Sequence, residues 1–501
     1  MINTIDLDTI QINIKAMSIL SKELCEEYSI LPYDIKDNHI YLATFKEHSQ
    51  DEINRLEFII KKKVILNLCS IEQFHVYLSK YYEEIYRKQI VKEIRSEEQV
   101  KDKIHSEVKG PIISLVNSIF REAIEKGASD IHIEPRKDSI VIRYRVDGIL
   151  NIFSTLPKKL YDVISTRIKV MANMDITNKY APNDGEINLQ IDNYEYDLRI
   201  STMPTVNGEK FVIRILQRNA ELLNISKLGF SNKDYRILKN VLRFKQGLII
   251  ITGPTGSGKT TTLYSMIREL NDKYKNIVTV EKPVECEVEG INQVSINDSG
   301  ITYSNILKAV LRQDPDVIMV GEIIDKETAE VAIRASLTGH LVLTTLHTND
   351  ASSVIDRLTN MGIDREIIKS SLVLVIAQRL TRLICRECKV KYKLSKAEKK
   401  IMSLNNIEEG YKGEGCIKCN STGYKGRTVA YEIMIMGTKL KDYMENGDSN
   451  ILRNIAIEEG MVTMDEYLKK LVRDGSTTVE EYHGNMQVYN IEKALGVDYG
   501  I

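Results

Sequence analysis

One stretch of this 501-residue chain has the residue types and spacing of a phosphate-binding loop. The stretch follows the pattern G-x-x-x-x-G-K-[ST], in which glycines let backbone N–H groups turn toward a polyphosphate. The lysine of such a loop reaches the β- and γ-phosphates, and the hydroxyl after it is placed to hold a Mg²⁺ ion. The sequence therefore predicts a nucleotide site formed by Gly253, Pro254, Thr255, Gly256, Ser257, Gly258, Lys259, Thr260 and Thr261.

The segments on either side of the loop favour the same interpretation. Residues 247–252 form a short apolar run, which is typical of a buried parallel strand. Apolar residues then recur with helical spacing over 263–270, and the N-terminus of a helix favours phosphate. The alternative is a glycine-rich turn without a ligand. It is disfavoured because glycine, lysine and threonine all stand in register between strand and helix.

Two further strand-like segments end in carboxylates. Residues 277–281 end at Glu281, with Glu285 four positions later, and the apolar run 317–320 precedes Glu322. In an open parallel sheet, ligands lie at the edge formed by the carboxyl ends of the strands. Glu322 is therefore suited to bind Mg²⁺, directly or through water, or to orient the attacking water.

Two histidines flank another predicted strand. His340 precedes the apolar run 341–346, and His347 follows it. A single histidine at a strand end is usually a polar group with a structural partner. Two of them in this region make a sensor of the γ-phosphate credible.

Four arginines lie on predicted strands ahead of the P-loop region, at Arg143, Arg145, Arg199 and Arg214. They form either a solvent-facing charged row or a set of donors directed at a neighbour's phosphates. Spacing alone leaves both interpretations open.

Four of the seven cysteines form two C-x-x-C pairs, and 28 positions separate Cys388 from Cys416. Two such pairs supply four thiolates, which is enough for a closed tetrahedral zinc site of structural type. Unliganded thiols and redox pairs are the alternatives, but two matched pairs favour one shared ion. The predicted ligands are Cys385, Cys388, Cys416 and Cys419.

The composition favours a soluble, globular protein, with 43% apolar and 28% charged residues. Its 69 basic and 70 acidic residues give a net charge of −1, which counts against a nucleic-acid binder. The N-terminus has no signal-like segment, and the apolar runs are shorter than the roughly 20 residues that cross a bilayer. We expect a cytoplasmic protein that is membrane-associated only through partners.

Apolar periodicity, charge and glycines predict an α/β multidomain protein. The charged segment 87–110 favours an exposed helix, with a flexible tether as the alternative. The predicted segments are an N-terminal α/β docking or regulatory module (1–86), a charged helical linker (87–110), an arginine-rich α+β domain (111–225), the P-loop domain (226–384), a tetracysteine subdomain (385–430) and a C-terminal helical region (431–501).

Taken in order, these motifs resemble those of the hexameric ATPases that drive type II secretion and type IV pilus assembly. The resemblance covers nearly the whole chain, and the ordered set is far more specific than the P-loop alone. The matching motifs are 253–260 (Walker A), 281–285 (aspartate box), 314–322 (Walker B), 339–347 (histidine box), 128–136 and 206–210 (N-terminal ATPase subdomain) and 415–427 (metal-binding insertion).

The resemblance implies a PAS-like arginine-rich lobe and a RecA-like lobe, joined by a flexible linker near 219–226. Six subunits would form a ring that holds ATP and Mg²⁺ between the lobes, with membrane-platform and cytoplasmic docking proteins as partners. The implied roles are phosphate contacts for Arg199, Arg214 and Lys259, general base for Glu285, Walker B acid for Glu322 and sensor for His347, with Thr260 and Glu322 at the Mg²⁺ ion.

Three positions depart from the family's usual pattern. Lys282 replaces an aspartate, Ile324 replaces an arginine, and Tyr180 stands where Lys-Arg is usual. Lys282 places a positive charge beside Glu285, which favours the carboxylate but makes it a weaker base. We therefore expect slow ATP hydrolysis.

The sequence predicts a motor for a type IV pilus or a type II secretion pseudopilus. The alternatives are a RecA-like motor that moves nucleic acid and a weakly hydrolysing regulator of the same machine. The N-terminal module lacks the Arg-Leu-Gly-x-x-Leu run of relatives that bind cyclic-di-GMP, so that ligand is doubtful.

Overall fold

The computed structural model describes residues 3–8, 10, 12–17, 19–71, 73–74, 77–78, 109–191, 194–217, 224–296, 301–402, 408–444 and 448–495. Almost all of the predicted linker 87–110, and most of the predicted linker near 219–226, lie outside these residues. The chain divides into two compact units, Met1–Ile187 with Arg199–Ile215 and Asn188–Leu198 with Leu216–Ile501.

The N-terminal module is built around a four-stranded sheet with the order β1-β4-β3-β2. Strand β3 pairs parallel with β4 and antiparallel with β2. The third helix begins with a capping box, in which Ser49 and Glu52 each bond the other's backbone N–H. The elements are β1 (Asn3–Thr4), α1 (Ile14–Met17), α2 (Lys22–Tyr28), β2 (Ile30–Lys36), β3 (His39–Thr44), α3 (Gln50–Ile60) and β4 (Lys63–Leu68).

The next domain has a six-stranded sheet with the order β7-β6-β5-β10-β9-β8. A two-residue hairpin turn joins β6 and β7, and its residues Asp147 and Gly148 have φ of 48° and 86°. The α+β pattern is confirmed. The elements are α4 (Lys109–Glu125), β5 (Ala128–Pro135), β6 (Ser139–Val146), β7 (Ile149–Pro157), α5 (Tyr161–Met171), β8 (Asn183–Ile191), β9 (Tyr194–Thr205) and β10 (Gly208–Gln217).

The elements of the remaining chain alternate between helix and strand and then become helical, as the periodicity predicts. They are α6 (Asn232–Val241), β11 (Gly247–Thr252), α7 (Lys259–Leu270), β12 (Ile277–Glu281), β13 (Asn292–Ser295), α8 (Tyr303–Val310), β14 (Val317–Val320), α9 (Lys326–Leu337), β15 (Leu341–Leu346), α10 (Ser353–Asn360), α11 (Arg365–Ser371), β16 (Leu372–Ile384), β17 (Lys389–Lys393), α12 (Lys396–Ile401), β18 (Glu409–Gly413), β19 (Tyr424–Ile435), α13 (Thr438–Asp442), α14 (Ser449–Glu458), α15 (Met464–Arg473) and α16 (Val479–Leu495).

A seven-stranded sheet, β13-β12-β14-β15-β11-β16-β19, organises this region. Its strands are parallel except for β19, which pairs antiparallel with β16. The sheet therefore extends past residue 384, because the chain returns to it after the cysteine-containing segment. Every residue of β11, β12, β14 and β15 is buried, as expected for parallel strands covered on both faces.

This topology decides where the predicted site residues lie. Parallel strands have their carboxyl ends at one edge, so the segments after β11, β12, β14 and β15 share that edge. Among the helices of the described residues, none is both long and apolar enough to cross a bilayer.

Candidate nucleotide site and metal centre

The P-loop packs against the middle of β16 with almost no space to spare. Gly253 has φ of 144°, and a Cβ there would lie 2.3 Å from the carbonyl oxygen of Gln378. Only glycine fits this position, because both the conformation and the close approach exclude a side chain. Gly258, with φ of 87°, begins helix α7 without a side-chain cap.

Two observations indicate that this loop suits a phosphate. The uncapped start of α7 leaves backbone N–H groups and the positive end of the helix dipole for an anion. In addition, the buried Oγ of Ser257 has no hydrogen-bond partner among the described residues. A buried hydroxyl without a partner is uncommon, and a phosphate oxygen would satisfy it. The donor set of the loop therefore fits a nucleotide.

Lys259 is held inside the loop by two carbonyl groups. Its Nζ donates to the carbonyl oxygens of Gly253 at 2.7 Å and of Pro254 at 3.2 Å. Burial lowers the pKa of Lys259 to about 8, against the opposing effect of the Glu322 carboxylate. The ammonium therefore loses its proton at a mildly alkaline pH, well below the pH at which an ordinary lysine does, unless an anion adds to its surroundings.

Three of the predicted site residues come together at the carboxyl edge of the sheet. The Nζ of Lys259 lies 3.4 Å from Nδ1 of His347, and Nε2 of His347 lies 3.6 Å from Oε2 of Glu322. The hydrogen bond with His347 is the main cause that lowers the pKa of Glu322; burial acts against it, and the charges of Lys259 and Lys282 add to the lowering. Glu322 is therefore held as a carboxylate, the form that binds a hard cation or a water molecule.

His347 is positioned by the threonines beside it. The hydroxyl of Thr252, at the end of β11, accepts from the N–H of Thr348 at 2.8 Å and lies 2.8 Å from its hydroxyl. This pairing ties the segment after β15 to the start of the P-loop. His340 lies at the other end of β15, with Nδ1 3.0 Å from the carbonyl of Ala335. The structure thus brings only one of the two predicted histidines to Lys259 and Glu322.

The two predicted carboxylates around β12 differ in their surroundings. Glu281 is 3% exposed and accepts hydrogen bonds from Tyr264, Thr279 and Gln293, so it is a structural group. Glu285 lies in the segment after the strand, and its backbone N–H donates to the Tyr264 hydroxyl at 3.2 Å.

The four predicted arginines fall into two groups, both in the first unit. Arg145 and Arg214 each place Nε 3.3 Å from the carboxylate of Asp130. Arg199 and Arg214 line an open groove of about 590 Å³, which Asp130 also borders. Arg143 instead contacts Glu134, at 2.5 Å from Nη2 to Oε1.

Glu134 gathers further positive charge. Besides Arg143, it contacts Arg136 at 2.8 Å and Lys210 at 3.1 Å, and together they border a second groove of about 470 Å³. Burial acts to raise the pKa of Glu134, but the contacts with Arg143 and Lys210 bring it below the ordinary value. Arg143 thus belongs to an ion-pair network, whereas Arg199 and Arg214 lie at the other groove.

The four cysteines of the C-x-x-C pairs converge, and all four sulfur atoms lie within 4.8 Å of one another. The Sγ atoms of Cys385 and Cys416 are 3.8 Å apart, those of Cys388 and Cys419 are 3.8 Å apart, and those of Cys416 and Cys419 are 3.7 Å apart. A tetrahedron with Zn–S bonds of about 2.3 Å has edges of about 3.8 Å. The donor set therefore fits a tetrahedral zinc ion.

The backbone supports the same centre. The sulfur of Cys419 accepts from its neighbours' N–H groups, from Cys416 at 3.1 Å and from Gly423 at 3.3 Å. Burial acts to raise the pKa of the Cys419 thiol, but these donors bring it below the ordinary value. Backbone donors of this kind favour thiolate over thiol, which is the form that binds metal.

Comparison with known proteins agrees with this geometry. A model of the family described as "Type II/IV secretion system protein" matches residues 105–484, and a model of the MshEN domain matches residues 1–85. The chain belongs to the type II/IV secretion system protein family.

The relatives of this family member carry names of two related machines. It is 43% identical to the type II secretion system protein E of Pseudomonas aeruginosa over 387 residues, which are 76% of this chain and 77% of the relative. It is 36% identical to the type IV pilus assembly ATPase PilB of Myxococcus xanthus over 505 aligned positions, covering 96% and 88% of the two chains.

Among solved structures, the pilus retraction motor PilT with bound ADP is 28% identical, with a TM-score of 0.51. The match covers 73% of this chain and 95% of PilT. Together with the seven-stranded sheet and the cysteine cluster, it confirms the predicted fold class, an α/β multidomain protein with a RecA-like P-loop core.

Three positions depart from the usual sequence pattern of the family. Two of them lie at the surface, and the charge of the third acts on Glu322. Tyr180 and Ile324 are exposed, at 91% and 54%. The charge of Lys282 helps to lower the pKa of Glu322. Lys282 precedes Glu285 by three positions, and the structure adds Glu322 as a group on which its charge acts.

Three residues that support the site were not among those predicted from the sequence. Gln378, on β16, donates to the P-loop carbonyl of Ser257 at 2.9 Å and accepts from Thr262 at 3.0 Å. Asp130 holds two arginines, and Tyr264 contacts the segment that carries Glu285. The sequence does carry a signal for Gln378 and Tyr264, because the polar group of a glutamine or tyrosine among apolar residues must find a hydrogen-bond partner when it is buried.

Proposed function

We propose that this chain is the ATP-hydrolysing motor of a type IV pilus or type II secretion machine. The observation that carries the proposal is the line of contacts from Lys259 through His347 to Glu322, directly beside a P-loop whose donors fit phosphate. The names of the relatives support the same function, and the fold agrees with it.

In the proposed reaction, a water molecule attacks the γ-phosphorus of ATP and the bond to the β-γ bridging oxygen breaks. Lys259 and the N-terminus of α7 stabilise the charge on the phosphates, and Glu285 accepts the proton of the attacking water. His347 contacts both Lys259 and Glu322, so it is suited to register the γ-phosphate. Mg²⁺, which Thr260 and Glu322 would hold, neutralises phosphate charge when it is bound.

We propose that Arg199 and Arg214 contact the phosphates and supply further positive charge. Their shared position at one groove supports a common role. Arg143 and Arg145 are engaged with Glu134 and Asp130, and we assign them a supporting role in the same domain.

We further propose that Cys385, Cys388, Cys416 and Cys419 bind one structural zinc ion. The spacing of their sulfur atoms supports this assignment, as does the fact that the cluster found among the described residues consists of four cysteines. Four thiolates complete a tetrahedron, so the ion would stabilise the segment between β16 and β19.

The remaining parts of the proposal concern assembly. We infer a homo-hexamer on the cytoplasmic side of the membrane, bound to membrane-platform and docking proteins of the machine, with residues 1–86 as the docking or regulatory module. We also propose that the chain is organised as the six segments predicted from its sequence. Family membership supports these points, and native mass spectrometry of the full-length protein would test the ring.

The decisive experiment is Mg²⁺-dependent ATP turnover by the purified full-length protein, with Lys259→Ala and Glu322→Gln as variants. Turnover that is lost in both variants supports a motor whose site lies at the P-loop and Glu322. Tight ATP binding without turnover would instead support a regulator of the machine. Stimulation by nucleic acid with steep salt dependence would favour a nucleic-acid motor.

A further inference from the structure

The hydroxyl of Tyr264 connects the P-loop helix to the segment that carries Glu285. Tyr264 lies on α7, five positions after Lys259, and its side chain is 3% exposed. A buried phenol must satisfy its O–H within the protein. It donates to Oε2 of Glu281 at 2.5 Å.

The same oxygen accepts two hydrogen bonds from the segment after β12. The backbone N–H of Glu285 lies at 3.2 Å and that of Cys286 at 3.3 Å. The Nε2 of Gln293 also lies 3.5 Å from this oxygen, the longest of its contacts. A phenolic oxygen offers one donor and two acceptor positions, so the contacts with Glu281 and the two backbone N–H groups are enough to use all of them. One hydroxyl group thus fixes the backbone at Glu285 relative to the P-loop helix.

Glu281 determines the direction in which this hydroxyl points. Its other oxygen, Oε1, accepts from Thr279 at 2.6 Å and from Gln293 at 3.2 Å, so the carboxylate itself is held from three sides. Burial and the Glu281 carboxylate both raise the pKa of Tyr264, which keeps the O–H protonated. The hydrogen is therefore committed to Glu281, and the lone pairs face the two backbone N–H groups.

We propose that Tyr264 is a positioning residue for hydrolysis, which holds the backbone of Glu285 so that its carboxylate meets the attacking water. The inference rests on the role of general base proposed for Glu285. Tyr264 would affect the chemical step and not nucleotide binding, because its contacts are with Glu281 and the segment after β12.

The first test is Tyr264→Phe in the full-length protein, which removes the O–H and keeps the ring. We expect kcat to fall roughly tenfold to a hundredfold, as displacement of a catalytic group by about 1 Å does, with KM for ATP within about twofold. Tyr482→Phe is the matched control, because its buried hydroxyl also donates to a carboxylate, that of Asp465 at 2.7 Å. It should retain wild-type turnover.

A double-mutant cycle with Glu285→Gln separates positioning from a general loss of stability. If Tyr264 acts through Glu285, adding Tyr264→Phe to Glu285→Gln leaves turnover unchanged within about twofold. Multiplied losses, or a wild-type kcat for Tyr264→Phe alone, overturn the inference and leave Glu285 as the base. Wild-type turnover of Glu285→Gln overturns the role of Glu285 and this inference with it.

A second variant covers the case in which Tyr264→Phe does not fold. Thr279→Val removes one donor to Glu281 with little change of shape, and loosens the carboxylate that orients Tyr264. We expect a smaller loss of kcat that again disappears in the Glu285→Gln background. A wild-type kcat for Thr279→Val would overturn the inference in that case.

Discussion

The Nε of Arg214 lies 3.3 Å from Oδ1 of Asp130, a carboxylate whose side chain is 11% exposed, whereas 68% of the Arg214 side chain is exposed. Asp130 also contacts Arg145 through Oδ2 and accepts from the hydroxyl of Ser129 at 2.9 Å. A guanidinium that is held through Nε can still present its two terminal nitrogens to a phosphate. Asp130 therefore orients the arginine through Nε and not through the two terminal nitrogens, which we propose contact phosphate.

Asp130→Asn should lower ATP turnover, because the amide keeps the shape but no longer fixes the guanidinium by charge. We expect kcat to fall roughly tenfold with little change in KM for ATP. Steady-state kinetics on the full-length protein measure this. Asp138→Asn, an equal charge change at an exposed position of the same domain, is the control. Equal turnover of the two variants would show that Asp130 does not position Arg214.

ATP binding should weaken as the pH rises above about 8, because burial lowers the pKa of Lys259 to about 8. Below that pH the ammonium is charged and attracts phosphate; above it, binding must first take up a proton. The dissociation constant should then rise by up to about tenfold per pH unit. Titration calorimetry in buffers of different ionisation enthalpy measures both the affinity and the proton uptake.

Lys259→Arg is the control for this pH dependence. A guanidinium keeps its charge throughout the range, so the variant should bind ATP with an affinity that does not change between about pH 7 and pH 9.5. If the wild-type protein shows the same flat profile, Lys259 does not lose its proton in this range.

The site residues that the sequence predicts are those that follow a strand directly. Glu322 and His347 could be placed because a buried parallel strand fixes the edge at which its next residue emerges. Strands β3 and β4 coincide with short apolar runs, so their bounds can be recognised in the sequence for a similar reason. Local sequence pattern is sufficient to place these residues and strands.

The supporting residues could not be predicted because their partners are far away in the chain. Asp130 contacts an arginine 84 positions later, and Gln378 reaches the P-loop across 121 positions. The return of β19 to the sheet is also a long-range pairing, which single-strand pattern does not reveal. Only the fold brings such residues together.

Replacing Lys282 by aspartate, the usual residue of the family at this position, should raise ATP turnover severalfold. The positive charge of Lys282 contributes to the lowered pKa of Glu322 and lies three positions before Glu285. Its removal should raise the pKa of Glu322 toward the ordinary value, so the acid limb of the pH profile should move to higher pH. A pH series of kcat measures both effects.

The control for this replacement is Lys245→Asp, which makes the same charge change at an exposed position of the same unit. It should leave turnover and its pH profile unchanged. A Lys282→Asp protein that hydrolyses ATP no faster than wild type would show that this lysine does not slow the reaction.

Metal analysis should find one zinc ion per chain in the wild-type protein, and the Cys416→Ser variant should contain no zinc. Three thiolates and a hydroxyl bind zinc more weakly than four thiolates, and the sulfur atoms are already arranged at the edges of a zinc tetrahedron. Because the free energy of metal binding adds to that of folding, the variant and the chelated protein should both melt at lower temperature. Cys286→Ser, a change of a thiol outside the cluster, should retain the metal. A metal-free wild-type protein with an unchanged melting temperature in chelator would contradict a structural zinc ion.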